Sequence, residues 1–220
     1  MLRSNKRIVL FLLFLLCCVS FNLALHSYQL ASLESLYNAL NGTGWTYGVS
    51  PDVVDENRIW FNDAQTDPCE PIPWYGLTCS SDNTMIVSMD MEAFNLVGTI
   101  PDNVFEGLNT TNKISFYRNS VIGNLPSSLV ATKQALRYLD MGQNYLGGSL
   151  PTWLGELTNL EVIWLNANQF IESIPTTMCQ MGKLAQLSLY NNHLDGSIPE
   201  CIGDLNLTKF SVYNNHLTGK

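Results

Sequence analysis

Basic side chains are few. Eleven Lys and Arg stand against 19 Asp and Glu, and charged residues of both signs make up only 14% of the chain. Nucleic acid and anionic membrane surfaces both call for a basic patch, so neither is expected as a partner. Histidine is rarer still: His26, His193 and His216 are the whole supply. Two of these in corresponding positions fall short of a closed metal site, and no metal is expected. The chain has no phosphate-cradling loop and no dinucleotide fingerprint. Neither a Ser/His/Asp nor a Cys/His grouping is offered for nucleophilic catalysis. Acid pairs such as Asp90 and Glu92 share a strand face, but glycoside hydrolysis needs two carboxyls across a cleft. They read as solvated acids. No cofactor is implied, and the chain is read as a non-enzyme. Past residue 25 no apolar run is long enough to span a bilayer.

The amino end is different. Arg3, Lys6 and Arg7 precede an apolar run from Ile8 to Leu25. A basic segment, a short apolar segment and then small residues form a cleavable secretory signal, with cuts expected near residue 20 or 24. The competing reading is an uncleaved anchor, which the interruptions at Ser20 and Asn22 oppose. Removing residues 1–24 takes those three basic residues and no acidic ones, which leaves eight against 19. Of six cysteines, Cys17 and Cys18 leave with the signal, while Cys69, Cys79, Cys179 and Cys201 remain. An even count in an exported chain reads as two disulfides. Sequons at Asn41, Asn109 and Asn206 are glycosylation acceptors in a eukaryotic secretory pathway. The expected location is therefore secreted, in the cell wall or at the cell surface.

Self-similarity organises the rest. An apolar–Pro pair recurs at Ile100-Pro101, Leu125-Pro126, Leu150-Pro151, Ile174-Pro175 and Ile198-Pro199, at intervals of 25, 25, 24 and 24 residues. Three residues before each Pro stand Gly98, Gly123, Gly148, Glu172 and Gly196. Seven before stand Phe94, Asn119, Asn144, Asn168 and Asn192. Further back come paired apolar residues, from Met89 and Met91 to Leu187 and Leu189, and a sixth unit opens at Phe210. On these residues the chain resembles the plant-type extracellular leucine-rich repeat family, which includes receptor-like ectodomains and polygalacturonase-inhibitor-like proteins.

The resemblance implies a β-rich α/β solenoid, a right-handed curved superhelix with a parallel concave sheet and a helical amino-terminal cap. Domain bounds follow: leader 1–24, cap 25–85, repeats 86–220 as five near-complete units and a truncated sixth. The stretch Leu36 to Cys79 is similar to the family's cap, with Pro71-Ile72-Pro73 lengthening its cysteine loop. A bridge between Cys69 and Cys79 closes that loop. Cys179 and Cys201 fall on neighbouring coils, and a second bridge forms there if their offset is absorbed.

Elementary chemistry assigns each slot a task. Paired apolar residues one position apart point the same way from a short strand. The Asn bonds backbone groups of its own and adjacent turns. A single unit cannot bury its apolar edge; stacking does so. The residues around each apolar pair are then free to vary. Among them Tyr117, Tyr138, Trp164, Tyr190 and Tyr213 are aromatic without a core role, with Arg118, Asp140 and Asn166 beside them. These eight form the expected ligand-binding set, with Trp164, Tyr190 and Tyr138 at its centre. The competing reading is plain cross-strand packing of aromatics.

The resemblance implies a protein, peptide or glycan ligand. Two alternatives stand: a structural wall, matrix or ice-facing scaffold, and the ectodomain fragment of a longer membrane receptor. The last unit stops at Lys220 without a closing cap, which implies either such a fragment or a partner covering that end.

Overall fold

A computed structural model of the protein describes residues 27–46, 60, 67–70 and 73–219. The expected leader, 1–24, lies outside these residues. Residues 27–39 are helical, as the leucine spacing predicts. Leu33, Leu36 and Leu40 are fully buried, while Ala31 and Glu34 face solvent. Asn41, in the left-handed region at φ 56°, turns the chain away. Trp45 donates from Nε1 to the Leu40 carbonyl at 2.7 Å, which satisfies a helix-end acceptor. The Trp45 ring meets Trp60 edge-on at 4.9 Å and Phe94 at 6.4 Å.

That last contact explains an irregularity in the repeat. Phe94 stands in the Asn slot of the first coil, where the preceding element is the cap and not another coil. An aromatic surface serves there because a tryptophan, not a strand, lies next door.

The strands in chain order are β1 (Leu77–Cys79), β2 (Ile86–Asp90), β3 (Val97–Thr99), β4 (Lys113–Ser115), β5 (Ser120–Gly123) and β6 (Tyr138–Asp140). They continue as β7 (Tyr145–Ser149), β8 (Val162–Trp164), β9 (Gln169–Glu172), β10 (Gln186–Ser188), β11 (His193–Leu194) and β12 (Lys209–Ser211). One sheet has the order β1-β2-β4-β6-β8-β10-β12, in which β1 is antiparallel to β2 and the rest are parallel. It is the concave sheet of the solenoid. A second parallel sheet runs β11-β9-β7-β5-β3 on the coil flank. Four short 3₁₀ turns, Ser127–Thr132, Thr152–Glu156, Thr176–Gln180 and Glu200–Asp204, form the return side. Each follows a Pro in extended conformation, whose fixed φ starts the turn and whose carbonyl accepts its first hydrogen bond.

Between the layers lies one continuous apolar core, with Ile114, Phe116, Leu139, Met141, Ile163, Leu165, Leu187 and Leu189 all fully buried. The asparagines behave as expected. Asn168 Oδ1 accepts from the Leu146 N–H at 2.9 Å, while its Nδ2 donates to the Met141 and Leu165 carbonyls at 2.9 and 3.2 Å. Asn119, Asn144, Asn192 and Asn215 repeat the arrangement one coil at a time. Both disulfides form, Cys69–Cys79 within the cap and Cys179–Cys201 between successive 3₁₀ turns.

Glu172 replaces a Gly of the repeat yet keeps its backbone, at φ 63° against 71° for Gly148 and 69° for Gly196. A left-handed glutamate costs roughly 1 kcal/mol that glycine avoids. Glu172→Gly should therefore raise the urea midpoint without changing the m-value. A lower midpoint would show that the exposed Glu172 side chain makes a compensating contribution.

The flank sheet was absent from the expectations, which placed one strand in each coil. Its outward side chains include Val97, Ile122, Tyr145 and Ile171, all between 42% and 54% exposed. The alternation after each Asn (Tyr145 out, Leu146 in) is the signal that marked it. The rings of His193 and His216 stack on this flank, 6.2 Å apart.

Candidate ligand-binding face

Strand register lays the variable side chains out in rows. One row runs Lys113, Tyr138, Val162, Gln186 and Lys209. The next runs Asp90, Ser115, Asp140, Trp164, Ser188 and Ser211. Two residues further along each coil stand Glu92, Tyr117, Gly142, Asn166, Tyr190 and Tyr213. Large and small residues alternate across these rows, so the face is not flat. Ser115, Asp140, Asn166 and Ser188 lie at 1–5% exposure and make a floor. Tyr117, Tyr138, Trp164 and Tyr190 rise around it, enclosing a recess of about 340 Å³.

The structure brings six of the eight expected residues to that recess: Tyr117, Tyr138, Asp140, Trp164, Asn166 and Tyr190. Tyr213 lies beyond it, 58% exposed, stacked on Tyr190 at 4.6 Å. Arg118 also lies outside, in the left-handed turn at φ 57°, where its guanidinium faces Glu92 at 3.9 Å. Cross-strand packing holds part of the aromatic set, since Tyr138 and Trp164 meet edge to face at 5.4 Å. The small floor residues Ser115 and Ser188 were not in the expected set. The same slots across coils carry their signal: small residues between bulky neighbours mark a depression.

Electrostatics centre on Asp140. The salt bridges among the described residues are Lys113–Asp90, Arg118–Glu92 and Lys133–Glu156, and none includes Asp140. It accepts from the Gly142 N–H at 2.9 Å and from the Tyr138 hydroxyl at 3.4 Å. Burial pushes its pKa up to about 6, and the charges of Glu92 and Asp90 add to the rise against those two hydrogen bonds. Burial and the Asp140 charge raise the Tyr138 phenol in turn. Cations already sit on the aromatic walls. Lys209 Nζ lies 4.8 Å from the Trp164 ring centre, and Lys113 Nζ lies 5.4 Å from that of Tyr138. Trp164 Nε1 and Ser188 Oγ are buried without a hydrogen-bond partner among the described residues.

The expected acceptor sequons are exposed at Asn41, Asn109 and Asn206. The latter two precede β4 and β12, away from the rows just described. Among the described residues no helix is long and apolar enough to cross a membrane.

A capped stack of coils with an asparagine ladder and an open, side-chain-lined sheet defines a leucine-rich repeat solenoid. The Leucine Rich Repeat family profile matches residues 135–157 and 183–205. Receptor-like protein kinase 7 from Arabidopsis thaliana is 34% identical over 162 residues, 61% of this chain and 16% of that protein. The crystal structure of PEPR1-AtPEP1 superposes with a TM-score of 0.71 at 26% identity, over 86% of this chain and 25% of that one. The Arabidopsis receptor kinase HAESA, in complex with the peptide hormone IDA and the co-receptor SERK1, gives 0.70 at 25% identity over 86% and 30%. The chain spans 12% to 20% of the length of three curated relatives it matches. Its coils are thus similar to those of plant receptor-like proteins and receptor-like kinases, and its fold is that of leucine-rich repeat ectodomains.

Proposed function

We propose that this chain is an extracellular recognition module that binds an extended peptide, or a peptide segment of a protein, along its concave sheet. The observation that carries the reading is the recess: aromatic walls stand over a floor whose Asn166 amide, Ser188 hydroxyl and Trp164 indole N–H have no partner among the described residues. Buried polar groups are ordinarily satisfied, so a set left open at one place implies a ligand that satisfies it. HAESA, similar across 86% of this chain, is named with a bound peptide hormone, which favours peptide over glycan.

The chain binds and does not catalyse: it corresponds to the ectodomain-like part of its longer relatives, apart from any kinase. Both disulfides agree with an oxidising, extracellular location. The division into leader 1–24, cap 25–85 and repeats 86–220 completes the reading.

The test is a pull-down from extracellular extract with wild type and the Trp164→Ala/Tyr190→Ala double variant. Loss of the two walls should weaken capture of the same partner at least tenfold, about 1.4 kcal/mol. A folded double variant that retains full affinity would refute the concave-face reading. Stoichiometric capture of one partner also separates recognition from a scaffold role, for which bulk adsorption to wall material is the expected behaviour.

A further inference from the structure

Within the recess, one spot is shaped more finely than peptide binding in general requires. Gly142 is buried and does not have a positive φ, so its backbone conformation does not call for glycine. Space does. A methyl group built there would lie 3.1 and 3.2 Å from Oδ1 and Nδ2 of Asn166, and 3.2 Å from Oδ1 of Asp140. Glycine is thus required by crowding: the Asp140 carboxylate and the Asn166 carboxamide close around it and converge on the wall of the recess.

Neither group is used up by the fold. Asp140, 4% exposed, accepts two hydrogen bonds where a carboxylate can accept about four, and no cation reaches it. The Asn166 side chain, in a residue 5% exposed, makes no hydrogen bond among the described residues. Elsewhere on the sheet acids are answered: Asp90 by Lys113 and Glu92 by Arg118. An ionised carboxylate held out of water without a counter-ion is costly to keep. Its aromatic neighbours Tyr138 and Trp164 already attract the chain's own lysines through their ring faces.

We infer that the recess over Asp140 receives one basic side chain of the peptide, an arginine or lysine, whose cation pairs with Asp140 and donates to the Asn166 amide oxygen beside the Tyr138 and Trp164 rings. The inference rests on the concave-face reading and makes it specific: the ligand carries a positive charge at the register position of β6 and β8.

The experiment uses blocked pentapeptides, acetyl-Gly-Ser-X-Ser-Gly-amide, with arginine, lysine, citrulline or glutamate at X. Binding is followed through the Trp164 indole resonance of isotopically labelled protein. The arginine and lysine peptides should shift it saturably at millimolar concentration. Citrulline, which has the shape of arginine without the charge, should bind at least tenfold more weakly. Asp140→Asn, close to isosteric, and Gly142→Ala, which displaces Asn166 and Asp140, should each abolish that preference while the far-UV spectrum stays wild type. Equal binding of arginine and citrulline peptides, or a preference that survives Asp140→Asn, overturns the cation site but leaves the concave-face reading standing. If the arginine peptide shifts only residues off this face, both fail.

Discussion

Asn168→Ala should lower the unfolding free energy by about 2 kcal/mol, a large loss for a single polar side chain and one that the other ladder asparagines should share. Asn168 is 7% exposed, and the Leu146 N–H that it satisfies lies in a fully buried residue. Removing the amide strands that donor and takes one of two bonds from each of the Met141 and Leu165 carbonyls, which keep Asn144 and Asn192 as donors. Each buried group left without a partner costs about 1–3 kcal/mol, partly relieved where water enters. Asn168→Asp is the informative companion. It keeps the acceptor for Leu146 but turns a carboxylate toward two carbonyl oxygens, so it should cost at least as much as alanine at pH 7. Urea unfolding with both disulfides intact measures both variants. A cost below 1 kcal/mol for alanine would mean that the ladder is not what satisfies these backbone groups.

Asp140→Asn should have the opposite sign above pH 6. The folded state holds the Asp140 carboxyl at about 6, against about 3.9 for an unperturbed aspartate. The native state therefore binds this proton more tightly than the unfolded chain does. The stability Asp140 contributes is complete below about pH 4 and is lost as pH rises through 6. Asparagine has no proton to lose. The variant should match wild type near pH 4 and exceed it by about 3 kcal/mol at pH 7.5, from a shift of about two pKa units. The groups facing Asp140 are Tyr138, Glu92, Asp90 with its partner Lys113, and, more weakly, Tyr190. None of the cations among them pairs with it. Equal stability of variant and wild type at pH 4 and 7.5 would show that Asp140 is not held at a cost. A gain in stability coupled to a loss of cation binding is the signature of a group kept for its ligand.

The fold was legible because its determinants recur. A slot that reads Asn in four consecutive coils, with an apolar pair before it and Gly and Pro after it, admits few physical interpretations. The strand bounds follow from the apolar pairs almost residue for residue. Two features were less accessible. The flank sheet depends on backbone pairing between coils, and its strands, with outward residues as different as Tyr145, Gln169 and His193, carry no common residue to announce it. The recess was visible only in outline. Aromatic residues on variable slots pointed to the right strip of sheet, but depth is a property of neighbours across coils. Gly142 looks unremarkable in its own repeat and acquires meaning only when Asn166, one coil on, leans over it. Arg118 shows the converse error. Its slot is adjacent in sequence to Tyr117, yet the left-handed turn carries it off the face and into a pair with Glu92.

The reversed direction of β1 bears on how these molecules meet one another. A stack of parallel strands is a template for further parallel strands, and an uncovered first edge would invite a second molecule to continue the stack as a filament. Because β1 runs against β2 and is tied by Cys79 to Cys69, the terminal hydrogen-bonding pattern on that side belongs to an antiparallel ladder. A coil of another copy that kept the direction of β2 would meet β1 antiparallel, out of the parallel phase of the superhelix. Simple continuation of the parallel stack through that edge is thus disfavoured by strand direction, without recourse to charge repulsion.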